Sequence, residues 1–289
     1  MAESKGKAVL LISCLDRPGI IARVAGHLFT LGCNIITSDQ YADDEDGHFF
    51  WRIYLDSLRL PIAELSKELD AAVPPLLPWD NLHWQLFDAA RRDRIVVMAS
   101  RLPHCMMDLL SRYRFGELDG DIVGVVSNHE ELEPLARPFE VPFTVIPVLK
   151  DNKAEAEAAL LKRLEELDAD TVVLARYMQV LSGDFLRAWR KPIVNIHHSF
   201  LPAFAGQRPH KQAHDRGVKL IGATAHYVTE ELDAGPIIAQ AATPVTHRDT
   251  VADLARKGKD LEVMVLAKAV RAHLKKQVIV HRNRTIVFE

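Results

Sequence analysis

Residues 192–202 read Pro-Ile-Val-Asn-Ile-His-His-Ser-Phe-Leu-Pro, and this stretch decides the fold. Its first half, 192–196, is a short apolar run of the kind that forms a strand buried on both faces. Asn195 and His197 stand two apart, so on a strand they share a face. Upstream, similar runs recur at 95–99 (IVVMA), 122–126 (IVGVV), 143–146 (FTVI) and 171–175 (TVVLA). Helical patterns separate them at about 103–112, 131–137, 153–167 and 182–189, the clearest being KAEAEAALLKRLEEL at 153–167. Such alternation predicts a Rossmann-like α/β domain with a mostly parallel sheet covered on both faces. In such sheets ligands bind beyond the carboxyl ends of the strands, where Asn195 and His197 fall. Downstream come strand-like runs at 221–228 and 236–242, a long helix at about 250–274, and a short basic tail with two more strand-like runs.

The first ninety residues have a different rhythm. Residues 8–14 (AVLLISC) are a continuous apolar run, broken by Asp16-Arg17-Pro18-Gly19 as a strand-to-helix turn requires. Ile20, Val24 and Leu28 have helical spacing that stops at Gly32. Strands follow at 34–41 and 48–55 around the acidic turn 42–47, then a helix from Pro61 to about Ala72 and a strand at 82–87. The order is βαββαβ, the ferredoxin-like unit. Pro74, Pro75 and Pro78 precede the last strand and a polar run follows it, so the domains are read as 1–88 and 89–289.

Composition excludes several classes of function. The chain has 289 residues, 48% of them hydrophobic, which suits a globular protein with a large core of its own. Its net charge of -3 gives no support for nucleic acid or an anionic membrane as partner. No segment approaches the roughly 18 apolar residues of a membrane span, and residues 1–7 lack a signal-type apolar stretch. Cys14, Cys33 and Cys105 form no CxxC pair, which predicts reduced thiols and a cytoplasmic location. Although His197, His198, His210, His214 and His226 are plentiful, they lack a strong ligand spacing, so no metal is expected.

Chemistry is expected at the end of the 192–202 stretch. Asn195 offers an uncharged amide donor, and His197 can donate, accept or shuttle a proton near neutral pH. Together they suit an oxyanion forming on a carbonyl. The plainer reading is an Asn cap and a surface His, and spacing alone favours it. His198 should point the other way, as a structural or solvent-facing residue. A strand holding His226 leads to Asp233-Ala234-Gly235-Pro236, by itself a turn sequence. A carboxylate there could orient water and hold His197 as imidazolium.

Asn195-Ile-His197, Leu201-Pro202 and Asp233-x-Gly235-Pro236 resemble the formyltransferase family. In that family an Asn/His/Asp trio handles the formyl group of a reduced folate, which implies catalytic roles for Asn195, His197 and Asp233. Residues 175–182 (ARYMQVLS) resemble the family's folate-binding strand end. The resemblance implies that Met178, Val180 and Leu181 line the pteridine pocket, bordered by His226 and Thr229. The N-terminal unit, with Leu15-Asp16-Arg17-Pro18-Gly19-Ile20 and Leu31-Gly32-Cys33-Asn34-Ile35, resembles an ACT domain. That likeness implies an amino-acid effector near Asp16, Gly19 and Asn34, and a homo-oligomer, dimer or tetramer. A plain dimerisation domain remains open.

An ACT unit followed by a formyltransferase unit resembles the family's hydrolytic branch, the formyltetrahydrofolate deformylases. It implies hydrolysis of 10-formyltetrahydrofolate to formate and tetrahydrofolate, a step of one-carbon metabolism linked to purine biosynthesis, with no cofactor beyond the folate substrate. Two features agree with water as acceptor. Residues 98–109 (MASRLPHCMMDL) contain no glycine to cradle an acceptor's phosphate. His104, Cys105 and Asp108, with Ser127-Asn128-His129, resemble that branch. The rival is transfer to an amine acceptor; a non-catalytic amino-acid sensor is a more distant one. Gln207 and His210 depart from the branch's pattern, where a small residue and a Tyr are expected.

Overall fold

A computed structural model of the chain describes residues 6–78, 81–202 and 209–289. Gln207 therefore lies outside the described residues. The chain divides into two compact units. The first contains residues up to Arg92 together with 276–279 and 286–289; the second contains 93–275 and 280–285. Residues 89–92 and the two tail segments thus fall in the first unit, where the sequence predicts a second domain over the whole of 89–289.

The first unit runs β1 (Gly6–Leu15), α1 (Ile20–Thr30), β2 (Asn34–Asp43), β3 (His48–Leu58), α2 (Ile62–Leu76) and β4 (His83–Asp88). Its four strands lie in the order β2-β3-β1-β4, all antiparallel, which is the ferredoxin-like arrangement. One face carries the helices. Ala8, Leu10, Ile12 and Cys14 of β1 meet Ile20, Val24 and Leu28 of α1, and Leu65, Leu69 and Val73 of α2. The opposite face of β1, Val9 and Leu11, packs with Phe50 against Ile279 and Phe288 of the tail. Burial on both faces explains why β1 is continuously apolar instead of alternating. Helix α2 continues past the expected stop at Ala72 to Leu76, through Pro74 and Pro75. Both prolines are exposed in the last turn, where water can meet the carbonyls that lose their N–H partners.

The second unit begins with β5 (Asp93–Ala99), α3 (His104–Arg114), β6 (Gly120–Ser127), α4 (Glu133–Ala136) and β7 (Phe143–Val145). It continues with α5 (Lys153–Glu166), β8 (Thr171–Leu174), α6 (Gly183–Trp189), β9 (Ile193–His197), α7 (Pro209–Asp215), β10 (Leu220–Tyr227), β11 (Ile237–Pro244) and α8 (Val251–Leu274). A terminal hairpin, β12 (Val278–His281) and β13 (Arg284–Val287), closes the chain. The seven-stranded sheet has the order β11-β10-β9-β8-β5-β6-β7. Strands β5 to β9 pair in parallel, and β10 and β11 are added antiparallel. The order reverses between β5 and β8, so ligands are expected beyond the carboxyl ends there. Helix α7 is too short to show a period in the sequence and was not expected. Helix α8 starts in a capping box, with Thr250 and Asp253 each bonding the other's backbone.

Candidate active site

Strands β8, β9 and β10 place the candidate residues together. Register sets Asn195 of β9 beside Leu174 of β8 on one side and His226 of β10 on the other. Asn195 Nδ2 donates to His226 Nε2 at 3.1 Å, while His226 Nδ1 donates to the Tyr227 carbonyl at 2.9 Å. His226 is thereby fixed as the Nδ1–H tautomer. His197 Nδ1 lies 3.1 Å from Asp233 Oδ2, and His226 Nε2 lies 3.6 Å from Asp233 Oδ1. One carboxylate thus faces both imidazoles. The hydrogen bond from His197 holds the Asp233 carboxyl well below the usual carboxylate range.

The turn that delivers Asp233 is unusual in its backbone. Asp233 is left-handed at φ 54. At Gly235 a Cβ would sit 1.9 Å from the Tyr227 carbonyl oxygen, so only glycine fits. The Asp-x-Gly-Pro sequence is therefore both a turn and a device that aims a carboxylate, and the turn reading and the chemical one are compatible. Beyond β9, His197 Nε2 pairs with Ser199 Oγ at 2.9 Å. Thr224, fully buried on β10, accepts from Leu201 N at 3.0 Å and donates to the Ser199 carbonyl at 2.9 Å. These two bonds clamp the 199–201 turn that ends the site. Ser199 and Thr224 were not singled out from the sequence; a serine two residues past a histidine looks like any loop serine until the turn is seen.

Among the residues implied to hold folate, Met178 and Val180 are 59% and 54% exposed, large apolar side chains at the exit of β8. The Met178 amide donates to Ser100 Oγ at 3.0 Å, which ties that exit to the end of β5. Leu181 instead packs against the core around Phe185 and Trp189. Thr229 is exposed, with its hydroxyl donating to the Glu231 carbonyl at 3.0 Å. At the ends of β5 and β6, Ser100 Oγ donates to Asn128 Oδ1 at 2.7 Å, and the His129 amide donates to Ser127 Oγ at 3.1 Å.

His198 is neither solvent-facing nor apart from His197. The two rings stack with centroids 4.8 Å apart, and His210 of α7 lies 6.5 Å beyond His198. Burial pushes the His198 imidazole down to about 4, helped by the positive charge of Arg176. Behind the stack lies Glu262 of α8, only 2% exposed. Its Oε2 is 2.7 Å from His104 Nε2 and 3.4 Å from Arg176 Nε. His104, Cys105 and Glu262 bring three potential metal-ligand atoms within 4.8 Å of one another. The cluster is a poor cation site: a guanidinium already faces the carboxylate, and burial pushes the Cys105 thiol up, away from thiolate. The three cysteines carry no disulfide.

In the first unit Asp16 and Gly19 follow β1, with Gly19 left-handed at φ 92 as the N-cap of α1. Asn34 starts β2, its amide donating to Asp56 Oδ1 at 3.0 Å. The three do not meet within one chain. Leu15 pairs with His48 at one end of β3 and Asn34 with Asp56 toward the other, eight strand residues or roughly 26 Å apart.

A parallel α/β sheet that gathers Asn, His and Asp at its carboxyl edge is the architecture of formyl transferases, and the Formyl transferase family profile matches residues 93–270. The chain is 46% identical to formyltetrahydrofolate deformylase of Bacillus subtilis over 287 residues, covering 99% of this chain and 94% of the relative. A solved formyltetrahydrofolate deformylase from Pseudomonas syringae pv. tomato superposes with a TM-score of 0.93 at 41% identity, covering 100% of this chain and 96% of that one. Glycinamide ribonucleotide transformylase 1 from Symbiobacterium toebii superposes at 0.65 with 33% identity, covering 73% of this chain and 99% of that one. The chain belongs to the formyltetrahydrofolate deformylase family.

Proposed function

We propose that this chain hydrolyses 10-formyltetrahydrofolate to formate and tetrahydrofolate. The observation that carries the reading is the convergence of His197 and His226 on the single carboxylate of Asp233, with Asn195 bonded to His226, in a chain of this family. The folate lies at the carboxyl edge of the seven-stranded sheet, against the exposed Met178 and Val180, with Leu181 behind them and His226 and Thr229 at the border. Asp233 holds the attacking water and the Nδ1 proton of His197. Water adds to the formyl carbon as its proton passes to His197, and the oxyanion that forms is stabilised by the Asn195 amide and by the now cationic His197, which holds the proton for the folate nitrogen. A proton delivered to the folate nitrogen lets the C–N bond break, and formate leaves. These side chains supply donors, base and orientation, so the reading needs no metal or cofactor.

The edge at β5 and β6 favours water over an amine acceptor. Ser100, Ser127 and Asn128 are buried there and bond to one another and to nearby backbone, and the segment has no glycine that would bring backbone amides to a phosphate. The first unit, on its likeness to an ACT domain, is assigned an amino-acid effector and a role in a homo-oligomer, dimer or tetramer. Because Asp16 and Gly19 lie far from Asn34 in one chain, an effector contacting all three would have to lie between two copies. The unpaired cysteines fit a cytoplasmic enzyme, and among the described residues no helix is long and apolar enough to cross a membrane. Formate release is measured without any acceptor for wild type and Asp233→Asn. Steady release that the substitution abolishes is the expected result. Release only when an amine is supplied would make the protein a transferase.

A further inference from the structure

Glu262 has a place that the proposed reaction does not use. It sits in the middle of α8, a helix whose other buried residues, Leu261, Val265 and Leu266 among them, are mostly hydrocarbon. Burial alone would neutralise it; the hydrogen bond from His104 and the charge of Arg176 outweigh that and keep it ionised. Arg176 stands at the exit of β8, left-handed at φ 65, a conformation that a non-glycine residue keeps only when its surroundings enforce it. Its Nε makes no hydrogen bond, so the link to Glu262 is one of charge. The same carboxylate thus reaches the start of α3 through His104 and the exit of β8 through Arg176, and the His198 ring, stacked on His197, feels the charges of Glu262 and Arg176.

We propose that Glu262 is a positioning residue for the active site. Its buried negative charge balances Arg176 and holds the His104, Arg176 and His198 side chains behind His197, so that positive charge can build on the His197 ring. This rests on the hydrolytic reading above, in which His197 becomes cationic. The charged and titratable groups around the stack are Arg176 after β8, His104, Cys105 and Asp108 on α3, His210 on α7, Lys259 and Glu262 on α8, and His226 and Asp233 on the side of His197. Among them Glu262 is the buried carboxylate on the His198 side. His210 is seated by Gly258 of α8, where a Cβ would come 2.6 Å from the imidazole, so α8 is shaped to admit that ring beside the cluster.

The test compares wild type, Glu262→Gln and the charge-balanced double variant Arg176→Gln/Glu262→Gln. Two quantities are read: the protonation midpoint of the His197 ring by NMR in the free protein, and kcat and KM for formate release. Losing the charge in Glu262→Gln is expected to lower the midpoint by about one pH unit, the scale of one unit charge acting over this range. It should lower kcat about tenfold with little change in KM. The double variant should recover the wild-type midpoint. A midpoint that stays put in Glu262→Gln overturns the proposal, because a purely structural glutamate would lower Tm without moving it. A midpoint that the double variant fails to restore overturns it as well. If the single variant does not fold, the double variant decides: a wild-type midpoint is the expected result, and a shifted one overturns the proposal. The NMR measurement needs no substrate, so failure of the hydrolytic reading, seen as turnover surviving His197→Ala, is recognised separately.

Discussion

The four-stranded sheet and the seven-stranded sheet differ in what they bury. Around β1 and β3 both faces are mostly hydrocarbon, and the buried polar pair Ser13 and His48 is joined by a 2.9 Å hydrogen bond. At the carboxyl edge of the larger sheet, Ser100, Ser127, Asn128, His197, Ser199, Thr224 and His226 are all buried. Buried polar groups cost free energy unless hydrogen-bonded, and a fold that needed only stability would not collect them at one edge. The first sheet is arranged for cohesion; the second gives up cohesion along one edge to hold donors, a base and a carboxylate in fixed directions.

That contrast can be broken most directly at the larger sheet's edge. Asn195→Ala and His197→Ala are each expected to cut turnover by ~10²–10³, the usual effect of losing an oxyanion donor, while thermal unfolding changes little. Near-wild-type turnover in either variant would remove that residue from the chemistry. In the first sheet the pattern should invert. Ile53→Val trims a fully buried side chain and should cost about 0.5–1.5 kcal/mol of stability, with kcat of the folded protein unchanged. A kcat that fell with it would show that the cohesive sheet also takes part in turnover.

Two smaller effects depend on pH. Asp233 has a folded pKa below its ordinary value of 3.8, so its stabilisation is present above that pH and is lost as pH falls below it. The stability gap between wild type and Asp233→Asn, read from urea unfolding, should therefore be constant near neutrality and shrink below about pH 4. His198 works with the opposite group chemistry. Its folded pKa of about 4 lies below the ordinary 6.5, so over that window the unfolded chain binds a proton that the folded chain does not. Wild type should lose stability on acidification from 6.5 toward 4, and His198→Asn should lose less of it over the same range. Equal slopes would mean that the ring is not held neutral in the fold.

Strand and helix order was legible because both sheets are written in apolar runs of characteristic length, and the Asn195/His197 pair because a period of two fixes a shared face. The rest depended on contacts far apart in sequence. His198 was expected to face away from His197, which holds inside a strand; here the strand ends at His197 and the following turn folds the ring back onto its neighbour. Glu262 lies in a 24-residue amphipathic helix, where a glutamate between leucine and valine reads as part of the wet face. Only the approach of His104 and Arg176 shows it to be interior. Asp16, Gly19 and Asn34 look adjacent in a motif, and the antiparallel register of β1, β2 and β3 separates them.

The packing of Ile279, Ile286 and Phe288 on the outer face of β1 and β3 has a consequence for how the chain is made. Strand β1 leaves the ribosome before the second unit, and residues that cover its outer face leave after nearly all of that unit. Throughout synthesis of the second unit, Val9, Leu11 and Phe50 would wait without that cover, as an adhesive surface on a nascent chain. Of the two units, the one whose synthesis starts earlier is therefore the one completed later.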